Sequence, residues 1–253
     1  MPIRTDQAIV LRLSDYSESS QIVSLFTAGS GLARLIAKGV RRGTRQRFAA
    51  GLDLLEYGEV SYAPPRGTAG LGTLTEWAQR DAFAGLRGNL LCLYGGLYAA
   101  ELVSALTEEY DAHPGLFAAL LTTLRELAQA RPPVATIVRF QLELAVAIGY
   151  APKLRECVGC GRPRARGAPA YFSSTAGGLL CRDCEMHHVE KRRVSPTMID
   201  RGPQAGNSEQ WFDLLDYHFS HVAGKAFKTA DRLRALPLDG RARGPASRGR
   251  PRT

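Results

Sequence analysis

Four of the five cysteines fall in two Cys-x-x-Cys pairs, Cys157-Val158-Gly159-Cys160 and Cys181-Arg182-Asp183-Cys184, with twenty residues between them. Thiolates three residues apart on a tight turn can take two corners of a tetrahedron about 2.3 Å from a zinc ion, and a second such knuckle completes it. Gly159 and Gly161 suit the first turn, and the stretch 171–180, broken at Gly177-Gly178, predicts a hairpin that returns the second pair to the first. The spacing therefore predicts one structural Zn2+ held by Cys157, Cys160, Cys181 and Cys184, with a redox dithiol or unligated thiols as the alternatives. Four thiolates leave no open coordination position, so the expected site is structural. His187 and His188 are near enough in sequence to be substitute ligands but read more simply as solvated residues. His218 and His221 read as helix-surface or packing residues, and Cys92, in an apolar helical pattern, as core.

The second set of reactive positions is cationic. Residues 31–50 contain Arg34, Lys38, Arg41, Arg42, Arg45 and Arg47 and no acidic residue. In an extended strand Arg34 and Lys38 share one face, and Gly39 then leads into a loop carrying the other four. Lys191-Arg192-Arg193, just past the cysteines, is a second candidate patch. These nine residues are the predicted DNA contacts, with a merely solvated face as the alternative. Phe48, Tyr57, Tyr62 and Trp77 are the rings available for stacking, but they fit a barrel core equally well, so none is assigned to a base. Arg155, Arg162, Arg164, Arg166 and Arg182 surround the cysteines, where part of their charge balances the −2 of a zinc–tetrathiolate centre.

Elements must position these groups. The 253 residues, 45% of them hydrophobic, suffice for real cores, and the net charge of +9 favours polyanionic partners. That charge is uneven: residues 31–50 carry +6, 151–195 carry +5, 240–253 carry +5 and the remainder −7. Five short β-rich segments in the first eighty residues predict a small closed barrel, an OB-fold ahead of an SH3-like one. They comprise Ile9, Leu11 and Leu13 in alternation, then residues 21–26, 31–38, 52–62 and 70–77. From about residue 89 the period becomes helical, with a break at His113-Pro114-Gly115, a helix start at Pro132-Pro133 and another near Ser208. The expected architecture is multidomain α+β: a five-stranded OB-fold DNA-binding domain (1–80), an all-α domain (81–152 and 195–239), a four-cysteine zinc-ribbon-like insertion (153–194) and a disordered basic tail (240–253).

No P-loop, His-Glu-x-x-His, Gly-x-Ser-x-Gly or strand-linked Gly-x-Gly-x-x-Gly occurs, and the acidic residues are scattered, so no catalytic residues are assigned. The N-terminus meets charges within six residues, and no apolar run is long enough to span a bilayer. A soluble, cytoplasmic, nucleoid-associated, non-enzymatic protein is expected. A zinc-containing nucleic-acid-processing enzyme and a zinc-ribbon scaffold for acidic protein partners are the rival readings.

The order of parts resembles the RecO family of bacterial recombination and repair mediators over about residues 4–236. The segments that carry the likeness are Ala8-Ile9-Val10-Leu11 with Tyr16-Ser17-Glu18, Ala37-Lys38-Gly39-Val40-Arg41-Arg42, the run from Leu144 to Pro152 leading into Cys157, and Gly177-Gly178-Leu179-Leu180-Cys181. The resemblance implies an OB-fold binding single- and double-stranded DNA, ATP-independent strand annealing, and loading of RecA onto DNA coated by single-stranded-DNA-binding protein in the RecF pathway. It implies RecR and the acidic tail of the single-stranded-DNA-binding protein as partners.

Overall fold

The computed structural model describes residues 2–38, 52–65, 70–129 and 131–236. Five strands, β1 (Arg4–Asp15), β2 (Ser20–Thr27), β3 (Gly31–Lys38), β4 (Tyr57–Ala63) and β5 (Gly72–Asp81), close into a barrel in the order β1-β2-β3-β5-β4. β1 pairs antiparallel with both β2 and β4, and β3 pairs parallel with β5. This is an OB-like barrel. The fourth strand starts later than the sequence suggests. Leu55 adopts a left-handed conformation at φ 67°, and the Glu56 carboxylate accepts from the Asp53 N–H at 3.2 Å and the Gln79 amide at 2.7 Å, which makes a turn of the residues just before Tyr57.

Alternation along β1 is interrupted. The register shifts between Val10 and Arg12, leaving Leu11 as the extra residue of a bulge. Ala8 and Val10 therefore point into the barrel with Val23, Leu25, Leu35, Val60, Tyr62 and Trp77, and Leu13 turns inward beyond the bulge. Ile9 and Leu11 face outward and are buried against the helices, together with Phe26 and Leu32. Phe26 meets Phe117 at 6.1 Å between ring centroids. One end of the barrel's outer face is thus sealed by the helical body, each buried large side chain contributing about 2 kcal/mol.

That body contains α1 (Ala84–Arg87), α2 (Leu90–Leu106), α3 (Pro114–Ala128) and α4 (Pro133–Ala147). The Asn89 side chain caps α2 by accepting from the Leu91 and Cys92 N–H groups at 2.9 and 3.3 Å. Proline in the first turn opens α3 and α4, so the expected break at His113-Pro114-Gly115 is where α3 begins. Cys92 is fully buried in this core. Beyond the cysteine segment, which contributes short strands and a short helix, α5 (Arg182–Glu185), come α6 (Pro196–Arg201), a 3-10 turn (Ala205–Asn207), α7 (Ser208–Val222) and α8 (Lys228–Arg234). A buried polar network ties the late helices to the early ones: Gln141 donates to the Tyr98 hydroxyl (2.9 Å), Tyr98 to Asp216 (2.9 Å) and Arg234 to Asp216 (2.5 Å). Burial pushes the Asp216 carboxyl up, and Arg234 and Tyr98 oppose that rise.

The connection after α2 crosses the start of β3. Tyr110 donates its N–H to the Leu32 carbonyl at 2.9 Å, and a Cβ at Gly31, whose φ is +70°, would lie 1.7 Å from the Asp111 carbonyl oxygen. Only glycine fits there. Among the described residues no helix is long and apolar enough to cross a membrane.

Candidate metal centre and nucleic-acid interface

A small sheet builds the cysteine site. β6 (Ala170–Ser173) pairs antiparallel with β7 (Gly178–Leu180) and with β8 (Arg192–Val194), the hairpin turning through Gly177 at φ +77°. Cys181 follows β7 directly, and α5 (Arg182–Glu185) carries Cys184. The first knuckle is docked on this hairpin by Val158 N–H to Leu179 O (2.8 Å), and closed by Gly161 N–H to Cys157 O (2.8 Å). A Cβ at Gly159 would lie 3.2 Å from Cys184 Sγ, so glycine lets the knuckles approach.

The four Sγ atoms of Cys157, Cys160, Cys181 and Cys184 all lie within 4.8 Å of one another, and Cys160 Sγ is 4.0 Å from Cys181 Sγ. A tetrahedron with bonds of about 2.3 Å needs sulfurs about 3.8 Å apart. A disulfide needs about 2.05 Å, and all the cysteines are free. The spacing and donor type fit a soft or borderline divalent cation such as zinc. Two of the four thiols are set up to ionise. Arg162 donates through Nε to Cys160 Sγ (3.3 Å) and through Nη2 to Asp183 (2.6 Å), spanning both knuckles. That guanidinium pulls the Cys160 thiol down to about 6. Burial raises the Cys157 thiol, but N–H groups of Cys181, Cys160 and Gly159 pull it to a net lowering. Hydrogen bonding to Cys181, with burial added, pushes Cys184 up to about 12. Like charges this close raise one another's thiols, as at Cys184, so full ionisation of all four would need a cation between them.

Histidines stand apart from the sulfurs. His187 is exposed and His188 half-buried. His218 is buried: its Nε2–H donates to the Tyr150 carbonyl (2.8 Å), and Nδ1 shares a hydrogen bond with Ser174 Oγ (2.8 Å). Next to it the Glu190 carboxylate accepts from Ser173 Oγ (2.9 Å), the N–H groups of Ser174 (3.2 Å) and Thr175 (2.8 Å), and the Tyr217 hydroxyl. Burial alone would raise the Glu190 carboxyl, but these donors hold it at about 2 against an ordinary 4.5. Its stabilisation is complete above about 4.5 and is lost as pH falls through about 2. Glu190→Gln is expected to cost about 2 kcal/mol at pH 7. In urea unfolding followed across pH, the gap to the unaltered protein should close between those two values; a pH-independent gap would mean that the carboxylate charge is not what holds the turn.

The nine predicted DNA contacts separate. Arg41, Arg42, Arg45 and Arg47 lie outside the described residues, as do Phe48 and the predicted tail 240–253. Arg34 and Lys38 are both exposed on the outer face of β3, as the strand period requires. Arg34 is paired with Glu109 at 3.4 Å, both side chains remaining 40–49% exposed. Lys191 is engaged twice by Glu185, through its carbonyl and its carboxylate, each at 2.7 Å. Arg192 donates to the Asp213 carbonyl (3.2 Å) and lies 5.1 Å from the Tyr217 ring centroid. Arg193 is exposed, beside Tyr171 across the sheet. Tyr62 and Trp77 belong to the barrel core, and Tyr57 is held by Gln7 and Arg125.

Register brings in a cation that lies outside the charge run. Arg12, on β1, pairs with Ser24, and Ser24 with Arg34. The next outward row is Ser14, Ile22 and Ile36, and Ser20 then faces Lys38. Arg12, Arg34 and Lys38 thus share one sheet face across β1–β3. A pocket of about 390 Å³ opens beside it, lined by Arg12, Ser14, Ser24, Arg34, Ser104 and Glu109 among others. Alternation with Leu13 puts Arg12 and Ser14 on one face, but only register shows that Arg34 and Lys38 share it.

Comparison with known proteins bears on the family. Residues 1–83 match the family model described as Recombination protein O N terminal, and residues 87–214 match Recombination protein O C terminal. The chain is 35% identical over 178 residues to DNA repair protein RecO of Dehalococcoides mccartyi (strain CBDB1), covering 70% of this chain and 68% of that one. It is 32% identical over 178 residues to DNA repair protein RecO of Halalkalibacterium halodurans, covering 70% and 67%. An OB-like barrel, a helical body and a four-cysteine cluster in this order, matched at both ends by the same family's models, make the chain a member of the RecO family.

Proposed function

We propose that this protein acts in recombinational DNA repair as a non-enzymatic, cytoplasmic and nucleoid-associated mediator that binds single- and double-stranded DNA through the outer face of β1–β3. The observation that carries the reading is the shared face of Arg12, Arg34 and Lys38 on an OB-like barrel, the surface such barrels use for oligonucleotides. The sequence after β3, bearing Arg41, Arg42, Arg45 and Arg47, adds to it, with Arg193, and more weakly the engaged Lys191 and Arg192, as secondary contacts. Cations that neutralise phosphates lower the repulsion between two strands, so base pairing itself drives annealing and no nucleotide is consumed. The family resemblance extends this to loading RecA on DNA coated by single-stranded-DNA-binding protein, with RecR and that protein as partners.

Cys157, Cys160, Cys181 and Cys184 would hold one Zn2+, supported by their sulfur spacing and by Arg162 over the thiolates. Zinc supplies cross-linking of the two knuckles, and its four sulfur ligands leave no position for substrate. Val158 and Gly161, through their backbone hydrogen bonds, orient the first knuckle; Arg162 offsets the sulfur charge.

Annealing of complementary oligonucleotides coated with single-stranded-DNA-binding protein tests the proposal. Acceleration without ATP is expected, declining with salt. Product formation that requires Mg2+ or a nucleotide would favour an enzyme instead, and affinity for acidic proteins without affinity for DNA would favour a scaffold.

A further inference from the structure

β1 ends at Asp15, and Tyr16 opens the turn to β2. Tyr16 donates its N–H to the Ser20 carbonyl at 3.0 Å, and Ser20 lies opposite Lys38. That bond sets Tyr16 at the end of the β1–β3 face that carries Lys38, two residues past Ser14. The row Tyr16, Ser20, Lys38 stands about 7 Å beyond the row of Ser14, Ile22 and Ile36, and about 14 Å beyond that of Arg12, Ser24 and Arg34. Tyr16 is 60% exposed, and its hydroxyl has no partner among the described residues. The other described rings of the barrel strands are otherwise occupied: Phe26, Tyr62 and Trp77 are buried, and Tyr57 carries Arg125. The face thus presents cations at both ends, the half-buried Ile22 and Ile36 between them, and an exposed aromatic residue at the β1–β2 turn, at the same end as Lys38.

A phosphate gains little from a neutral ring, whereas an unpaired base can stack on one in any sequence. A duplex keeps its bases stacked inside and offers this face only phosphates. We propose that Tyr16 is a base-stacking residue that gives the outer face of β1–β3 a preference for single-stranded over double-stranded nucleic acid. This rests on the reading of that face as the DNA-binding surface.

The test measures binding of the full chain, with Tyr16→Ala and Tyr16→Phe, to three ligands: a short single strand, the same strand with abasic positions, and a duplex. Tyr16→Ala is expected to weaken the intact strand by about 5- to 150-fold. It should leave the abasic strand, the duplex and the salt slope unchanged, and Tyr16→Phe should bind as the unaltered protein does. Equal weakening for all three ligands overturns the proposal, because stacking requires a base. An unchanged affinity for the intact strand also overturns it, while the face itself is judged separately: if Arg12→Glu with Lys38→Glu still weakens binding, the DNA surface stands and only the stacking role fails.

Discussion

Cys157→Ser is expected to remove the bound metal and lower unfolding free energy by on the order of 3–5 kcal/mol. Structural zinc contributes about 10–16 kcal/mol in isolated finger peptides, where it is nearly the whole driving force for folding. Here the loss is smaller because the β6–β8 sheet also packs through Ala170, Phe172, Leu179 and Val194 into the helical core. Cys157 is the sensitive position among the four. Its sulfur is buried and accepts the Cys181 N–H at 3.3 Å, so the substitution disturbs the contact between the knuckles as well as the ligand set. Cys160 is exposed. Metal analysis should fall from about one zinc per chain to none, and urea unfolding should show the lower stability, with single-strand affinity of the barrel little changed. A metal-free preparation as stable as the metal-bound one would refute the site.

Arg12→Glu together with Lys38→Glu should reduce single-strand affinity by about 10- to 100-fold at low salt, with a smaller loss as salt rises. Each neutralised phosphate contributes about 0.7 to the slope of log affinity against log salt for a single strand, so losing two contacts lowers that slope by about 1.4. Neither side chain makes a hydrogen bond or ion pair with the described residues, and both are exposed, so circular dichroism and thermal unfolding should be unaffected. Arg34 is a poorer choice, since Glu109 already draws on its charge and reversal would place two carboxylates together. Anisotropy of a labelled oligonucleotide across a salt series measures both quantities. An unchanged slope would move the DNA contact away from this face.

How far such residues were legible in sequence depended on whether chemistry or register located them. The cysteines were legible because ligand spacing is local: two residues between sulfurs define a knuckle, whatever surrounds it. The helix start at Pro133 was legible too, since proline marks the first turn by its own backbone chemistry, and the break at His113-Pro114-Gly115 is where α3 begins; the start near Ser208 shows instead in the apolar stripe of Trp211, Leu215 and Phe219. By contrast, the run Lys191-Arg192-Arg193 looked like a uniform cationic patch, and tertiary contacts divided it. Glu185 and Tyr217 engage the first two and leave Arg193 outward. Arg12 and Tyr16 drew no attention as contacts because each is a single residue outside any charge run or ring cluster.

The amino-acid sequence by itself determined the element types, the four-thiol ligand set and the concentration of positive charge near β3, since propensity, ligand spacing and composition act over a few residues. Only the tertiary structure decided that Arg12 joins Arg34 and Lys38 on one face and that Tyr16 stands in solvent at its end. Those are matters of strand register, and register is set by a single bulged residue, Leu11, and by the burial of Ile9, Phe26 and Leu32 against helices that follow more than fifty residues later.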